Sequence, residues 1–137
     1  MSLPININDL IRGQILENSR IEYKRGWNPE SILHTICAFA NDIDNIGGGY
    51  IIIGVEEECG MTKRSVVGLQ KTELNAINKK LLKICNLIQP RYLPVVTQAQ
   101  FEGAEIFVIW IPGGYNRPYK CPTTLSPNAI KIYHPYI

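Results

Sequence analysis

The chain has 137 residues, of which 45% are hydrophobic, and its formal net charge is +2. This length and composition indicate one folded domain and argue against a disordered chain. No apolar run approaches the roughly 20 residues of a membrane-spanning helix, and no signal-peptide pattern opens the chain. We therefore expect a soluble, cytoplasmic protein with no membrane partner.

The charge is distributed unevenly along the chain. Residues 1–78 contain 7 Lys/Arg and 10 Asp/Glu, whereas residues 79–137 contain 7 and 2, so the two parts carry −3 and +5 and sum to +2. One side of the fold could therefore present a positive face to nucleic acid. An ordinary solvated surface would have the same composition, so the charge alone leaves both interpretations open.

The four cysteines are widely spaced and include no Cys-x-x-Cys pair. Neither a structural zinc site nor a redox pair is indicated. We interpret them as reduced thiols that mostly pack in the interior: Cys37, Cys59, Cys85 and Cys121.

The first half of the chain alternates helical and strand patterns. Residues 5–16 predict a short helix capped by an asparagine, and residues 20–24 alternate polar and apolar side chains as a half-buried strand does. Asn28 followed by a proline is a strong helix start, and the glycine-rich segment 45–49 is expected to end that helix. Residues 50–55 are apolar on both alternating faces, which predicts a central strand covered on both sides.

The second half predicts one more helix and a hairpin. Residues 65–69 are expected to pair back as a strand, and Thr72 is expected to cap a helix. The apolar stripe of this helix and the lysines opposite it are Leu74, Ile77, Leu81, Ile84 and Ile88, and Lys79, Lys80 and Lys83. Residues 95–101 and 105–111 predict a hairpin, and residues 129–133 a last strand. We expect an α+β domain with a mixed, largely antiparallel sheet of about five to six strands and two main helices.

Three glutamates are candidates for a catalytic metal site. Glu17 and Glu22 are separated by four residues, and Glu56 follows the predicted central strand. If these strands adjoin, the carboxylates could bind Mg²⁺ or Mn²⁺ for phosphodiester cleavage, and Lys24 could steady a phosphate. In the alternative interpretation, the glutamates are solvated or paired with Arg20 and Lys24.

The glycine-rich turn does not match a nucleotide-binding loop. The pattern Gly-x-x-x-x-Gly-Lys-Ser/Thr is absent, and the turn leads into a strand instead of a helix N-terminus, so we expect no ATP site. We interpret Gly48, Gly49 and Gly54 as structural residues of a tight turn and strand. Asn41 is expected to close the preceding helix or to orient the turn.

Two sets of basic residues are candidates for contact with nucleic acid. The first is the outer face of the second main helix, and the second interleaves cations with tyrosines near the end of the chain. A solvated helix face and an ordinary tyrosine-rich loop are the alternatives. The candidate residues are Lys79, Lys80 and Lys83, and Arg117, Lys120 and Lys131.

Five short blocks follow one another in an order that resembles a known family. The blocks are Glu22-Tyr23-Lys24, Ala38-Phe39-Ala40-Asn41, Gly48-Gly49-Tyr50, Ile53-Gly54-Val55-Glu56 and Val67-Gly68. Together they resemble the Schlafen AlbA-type domain (AlbA_2) of proteins described as transcriptional regulators. The resemblance implies that residues 1–137 are a single domain at the N-terminal end of a longer protein. It also implies that the domain binds nucleic acid, DNA rather than RNA, through Lys/Arg contacts to the sugar-phosphate backbone. We also expect that the protein could form a homodimer.

The same resemblance implies an enzymatic alternative. Vertebrate Schlafens use a related domain to cleave structured RNA through three acidic residues, which match Glu17, Glu22 and Glu56 here. Glu56 stands where the Schlafens usually have Asp, so its reach is longer by one methylene. A non-enzymatic DNA-binding regulator is our leading hypothesis, and the alternatives are a metal-dependent ribonuclease and a protein-interaction or oligomerisation module.

Overall fold

The computed structural model describes residues 6–7, 11, 20–58, 61–63 and 66–137. Within them the chain forms two main helices, α1 (Pro29–Asn41) and α2 (Lys71–Cys85). Its strands are β1 (Arg20–Lys24), β2 (Gly49–Ile53), β3 (Glu57–Glu58), β4 (Met61–Thr62), β5 (Val95–Phe101), β6 (Ala104–Ile111), β7 (Cys121–Pro122) and β8 (Tyr133–His134). The predicted α+β class is confirmed.

The main sheet has four strands in the order β1-β2-β6-β5. β1 runs parallel to β2, and the other neighbours are antiparallel, so the sheet is mixed and largely antiparallel, as predicted. All five residues of β2 are buried, which confirms the prediction of a central strand covered on both sides. β3 pairs with β4 and β7 with β8 as separate two-stranded ribbons.

Two predicted strands differ in the structure. Residues 66–69 form no strand; instead Gly68 N donates to Gly54 O at 2.8 Å and Leu69 N to Glu105 O at 2.8 Å. This segment therefore crosses the ends of the main strands without a ladder of its own. Near the chain end, only Tyr133 of the predicted strand 129–133 is in β8. These two differences explain why the main sheet has four strands, fewer than the five or six expected.

α1 begins where the sequence predicts and ends earlier. Asn28 is the N-cap, and its Oδ1 accepts a hydrogen bond from Ser31 N at 3.4 Å. The helix ends at Asn41, before the glycine-rich segment, because Asp42 adopts a left-handed conformation with φ 42°. The Asp42 N–H then bonds to the carbonyl oxygens of the last turn and closes the helix.

α2 begins one residue before the predicted cap. Its N-cap is Gln70, and Thr72 lies inside the first turn. Glu73 accepts a hydrogen bond from Gln70 N through Oε1 at 3.0 Å, which is half of a capping box. The predicted apolar stripe is confirmed, since all five of its residues are buried: Leu74, Ile77, Leu81, Ile84 and Ile88.

The core has two parts, one on each face of the main sheet. Both helices pack against one face, where β2 and β6 contribute Ile51, Ile53 and Phe107. The other face carries Ile52 and Val108 and is covered in part by Ile11. The predicted helix over residues 5–16 lies largely outside the described residues, as does its cap Asn8. None of the helices described here is both long and apolar enough to span a bilayer.

Candidate nucleic-acid interface

Asn41 joins three segments at the C-terminal end of α1. Its Nδ2 donates to Tyr119 O at 2.9 Å and to Tyr136 O at 2.7 Å, and its Oδ1 accepts from Tyr119 N at 2.6 Å. The residue is buried, with 6% of its surface exposed. Its amide therefore satisfies backbone groups of the segments before β7 and after β8, which a side chain without both donor and acceptor could not do.

Arg117 and Asp42 complete this end of the helix. Arg117 Nη1 donates to the carbonyl oxygens of Asn41 and Asp42 at 3.2 Å each. Arg117, a candidate for contact with nucleic acid, therefore also binds the C-terminal end of a helix. The Asp42 carboxylate accepts from the N–H groups of Ile46 and Gly47 at 3.0 and 2.9 Å. Burial works to raise the pKa of Asp42, but these N–H groups, that of the next glycine and the charge of Arg117 together hold the pKa below its usual value.

The glycines of the turn and of β2 lie against protein atoms. A Cβ added to Gly48, which has φ +85°, would lie 1.9 Å from Ile111 O. A Cβ on Gly49 would lie 2.6 Å from the Phe39 ring. Gly54 has φ +105°, a conformation that disfavours any side chain. Gly48 and Gly49 are thus packed closely against the fold, whereas a Cβ on Gly47 would meet no described atom within 4 Å.

A groove of about 630 Å³ lies between β1, α1 and the chain end. The Arg20 guanidinium is 4.7 Å from the centroid of the Phe39 ring, a cation–π contact. Its Nη1 is buried and has no hydrogen-bond partner among the residues that the structure describes. Other polar residues that line the groove are Glu22, Glu30, Ser31, His34 and Thr35.

Glu22 and Lys24 of β1 are both engaged by α1. Thr35 Oγ1 donates to Glu22 Oε2 at 2.5 Å, and Lys24 Nζ lies 3.7 Å from the same oxygen. Lys24 Nζ also donates to Ser31 Oγ at 2.7 Å. Of the two interpretations of these residues, the pairing of Glu22 with Lys24 is therefore present in the structure, and Lys24 is held by protein groups.

Two of the three glutamates of the metal-site hypothesis are described, and each lies near a lysine. Glu56 lies 4.0 Å from Lys63 Nζ, and Glu22 already accepts a hydrogen bond beside a lysine. Across the described ranges there is no group of three acidic, His or Cys side chains that could hold a metal ion. Glu17 lies outside those ranges, so the three-glutamate hypothesis stays a prediction.

The basic candidates occupy two exposed regions. Lys79, Lys80 and Lys83 are exposed on the outer face of α2, opposite its buried stripe. The second region is the two-stranded ribbon of β7 and β8 with its flanking residues, which we call the C-terminal ribbon. There, Lys120 Nζ lies 5.8 Å from the Tyr133 ring centroid, and Lys131 Nζ donates to a backbone carbonyl at 3.4 Å. Backbone hydrogen bonds between Gln89 and Lys120, at 2.9 and 2.8 Å, connect the two regions.

One residue of this area has partners that the sequence does not indicate. His34 of α1 is half-buried. Its Nε2 is 3.0 Å from Pro122 O, and its ring stacks on Tyr136 with centroids 4.0 Å apart. Both partners lie more than 80 residues further along the chain, so no local signal indicates these contacts.

The fold and the site together define an α+β domain. In this domain a glycine-rich turn leads into a buried central strand, and a polar groove lies beside it. The model of the family "Schlafen, AlbA_2" matches residues 17–134, so the chain belongs to this family, as the resemblance implied.

Two solved structures share the fold. The first is the solution NMR structure of the N-terminal domain of a protein from Nitrosomonas europaea that is named as related to the ATP-dependent DNA helicase RecG. It is 24% identical with a TM-score of 0.60, over 87% of this chain and 80% of that one. The second is the crystal structure of the DIP2311 protein from Corynebacterium diphtheriae, at 12% identity and a TM-score of 0.53 over 91% of this chain. The chain spans 30% of the length of DIP2311. No curated protein matches significantly.

Proposed function

We propose that this chain is a nucleic-acid-binding domain of a transcriptional regulator, and that it contacts the sugar-phosphate backbone of DNA through lysines. The observation that carries the proposal is the outer face of α2, where Lys79, Lys80 and Lys83 are exposed together. No described carboxylate forms an ion pair with any of them. Unpaired, exposed lysines on one face are suited to neutralise successive phosphates. The name of the Nitrosomonas europaea neighbour, which refers to a DNA helicase, is in keeping with this proposal.

The C-terminal ribbon extends the proposed contact surface. Lys120 lies beside the Tyr133 ring, and an aromatic ring beside a cation can support an unstacked base or a sugar; Lys131 follows on the same segment as Tyr133. Arg117 contributes less in this proposal, because one of its guanidinium nitrogens already binds two backbone carbonyls. We further propose that the domain belongs to a longer cytoplasmic regulator, as the family resemblance implies.

The test is the salt dependence of DNA affinity. Binding of the 137-residue chain to a labelled duplex is measured between low and physiological salt, and again with the triple variant Lys79→Gln, Lys80→Gln and Lys83→Gln. Each lost phosphate contact lowers the slope of log affinity against log salt by about 0.9, so the variant should lose a slope of about 3 and at least about tenfold in affinity.

Arg25→Gln is the control, because Arg25 is an exposed basic residue that follows β1 and does not belong to α2. Arg25→Gln should bind DNA like the wild type, apart from a small change in affinity. Wild-type binding that is absent or indifferent to salt overturns the proposal. A triple variant that binds like Arg25→Gln overturns the assignment to α2, and tighter binding of structured RNA than of DNA overturns the choice of DNA.

A second candidate function is a metal-dependent ribonuclease, favoured only by the position of Glu22 in the open groove. Cleavage of structured RNA with Mn²⁺ is compared for the wild type, Glu22→Ala and the control Glu30→Ala, whose carboxylate lines the same groove. Cleavage that is lost in Glu22→Ala and kept in Glu30→Ala would support this function. The absence of cleavage by the wild type would exclude it.

A further inference from the structure

β5 is an edge strand with an open side. β6 is the only described strand that pairs with it, and within the described residues no backbone hydrogen bond joins residues 95–100 to any other segment. Hydrogen bonds alternate along an antiparallel pair, so every second residue of β5 directs its N–H and C=O away from β6. The strand therefore presents a row of backbone donors and acceptors that another strand could pair with.

This edge carries none of the usual obstacles to strand pairing. The sequence of β5, Val-Val-Thr-Gln-Ala-Gln-Phe, has no charged residue and no proline, and its register with β6 runs without a bulge over seven residues. Natural edge strands are commonly protected by lysines, prolines, bulges or short length. A long, neutral and regular edge is consequently a site for a further strand.

The edge is also accessible on the helix side of the sheet. Gln98 is paired with Phe107, whose side chain packs beneath the helices, so Gln98 and Gln100 point to that side. Both glutamines are exposed, so the helices do not cover β5 at these two positions. An approaching strand would meet the backbone without displacing a helix.

We propose that β5 pairs antiparallel with β5 of a second copy of this chain, so that two sheets join into one sheet of eight strands. When the two-fold axis passes through Gln98, each residue of β5 faces a residue of β5 in the other copy. All of these opposing side chains are neutral. The flanking charges fit the same arrangement, since Arg91 precedes the strand and Glu102 follows it. The antiparallel dimer brings the Arg91 end of one copy toward the Glu102 end of the other.

The dimer would double the proposed DNA contact. A two-fold axis perpendicular to a continuous sheet leaves both α2 helices on one side, and with them both sets of Lys79, Lys80 and Lys83. This consequence rests on the proposed function, whereas the pairing of the two strands does not.

The experiment measures self-association without nucleic acid. Sedimentation equilibrium of the full chain, from low micromolar to near-millimolar concentration, should show a monomer–dimer equilibrium. Gln98→Lys places two lysines opposite each other across the axis and should raise the dimer Kd at least about tenfold. Gln98→Glu should do the same, and an equimolar mixture of the two variants should dimerise again because lysine then faces glutamate.

Gln89→Lys is the control for added charge, since Gln89 is exposed and pairs with Lys120 rather than with β5. It should dimerise like the wild type. Amide hydrogen exchange adds an independent readout, because alternate amides of β5 should become protected as the concentration rises. A wild-type chain that stays monomeric overturns the proposal, and so does a dimer that Gln98→Lys leaves intact. A dimer that forms but fails to bind DNA would overturn the proposed function alone.

Discussion

The two edge strands of the main sheet have different chemistry. β1 has five residues, of which Arg20, Glu22 and Lys24 are charged, and all three side chains contact α1. β5 has seven residues, none of them charged, and its helix-side glutamines are exposed. One edge of the sheet is thus held by polar contacts to a helix, whereas the other is held by a hairpin.

The difference shows that the two edges of one sheet can have different roles. Charged side chains on β1 disfavour the addition of another strand and line a polar groove. β5 is neutral and keeps its outward backbone groups available. We therefore expect changes at β1 to affect the stability of the domain, and changes at β5 to affect its association.

The largest expected effect concerns the attachment of β1. Gly49 is paired with Arg20, and a Cβ at this position would lie 2.6 Å from the Phe39 ring and 2.8 Å from Arg20 O. Gly49→Ala must push β1 or α1 away, and we expect it to lower the free energy of unfolding in urea by about 2 kcal/mol or more. The control is Gly26→Ala, because no atom lies within 4 Å of its added Cβ. Equal stability of the two variants would contradict the close packing at Gly49.

A smaller effect is expected from removing one hydroxyl on the β1 side. Thr35→Val deletes the donor to Glu22 Oε2 and should cost about 1 kcal/mol of unfolding free energy, because a hydrogen bond to a charged group is stronger than a neutral one but the Glu22 side chain is 43% exposed to solvent. The same substitution at Thr97 of β5 removes no hydrogen bond that the structure gives and should change stability by less than about 0.5 kcal/mol. Equal losses of unfolding free energy in Thr35→Val and Thr97→Val would contradict the difference between the two edges.

The sequence predicts the elements of this comparison better than their contacts. The start of α1 at Asn28, the apolar stripe of α2 and the β5–β6 hairpin follow from local signals. The hairpin turn at Glu102 and Gly103 has φ values of 50° and 81°, which glycine favours. Such signals depend on residues a few positions apart, so they can be read from the chain.

The contacts of the site could not be predicted in this way. Asn41 bonds to Tyr119, which lies 78 residues further on, and nothing in the pattern of either segment indicates the pairing. The engagement of Arg117 by the end of α1 likewise depends on where the chain returns. Side-chain partners across the fold are set by topology, and periodicity reports only which face of an element is buried.

The smallest expected effect is a pH dependence that arises at the end of α1, the helix that holds β1. Asp42 lies at the end of α1, and backbone N–H groups hold its pKa below the usual value despite its burial. A carboxyl whose pKa is lower in the folded state stabilises the fold fully above its unfolded pKa of about 3.9, and this contribution disappears as the pH falls through the lower folded pKa. The free energy of unfolding of the wild type should therefore decline below about pH 4. Asp42→Asn should reduce that decline, since it removes the titrating group. The same decline in both proteins would mean that other carboxyls dominate, and that the acid sensitivity does not come from the end of α1.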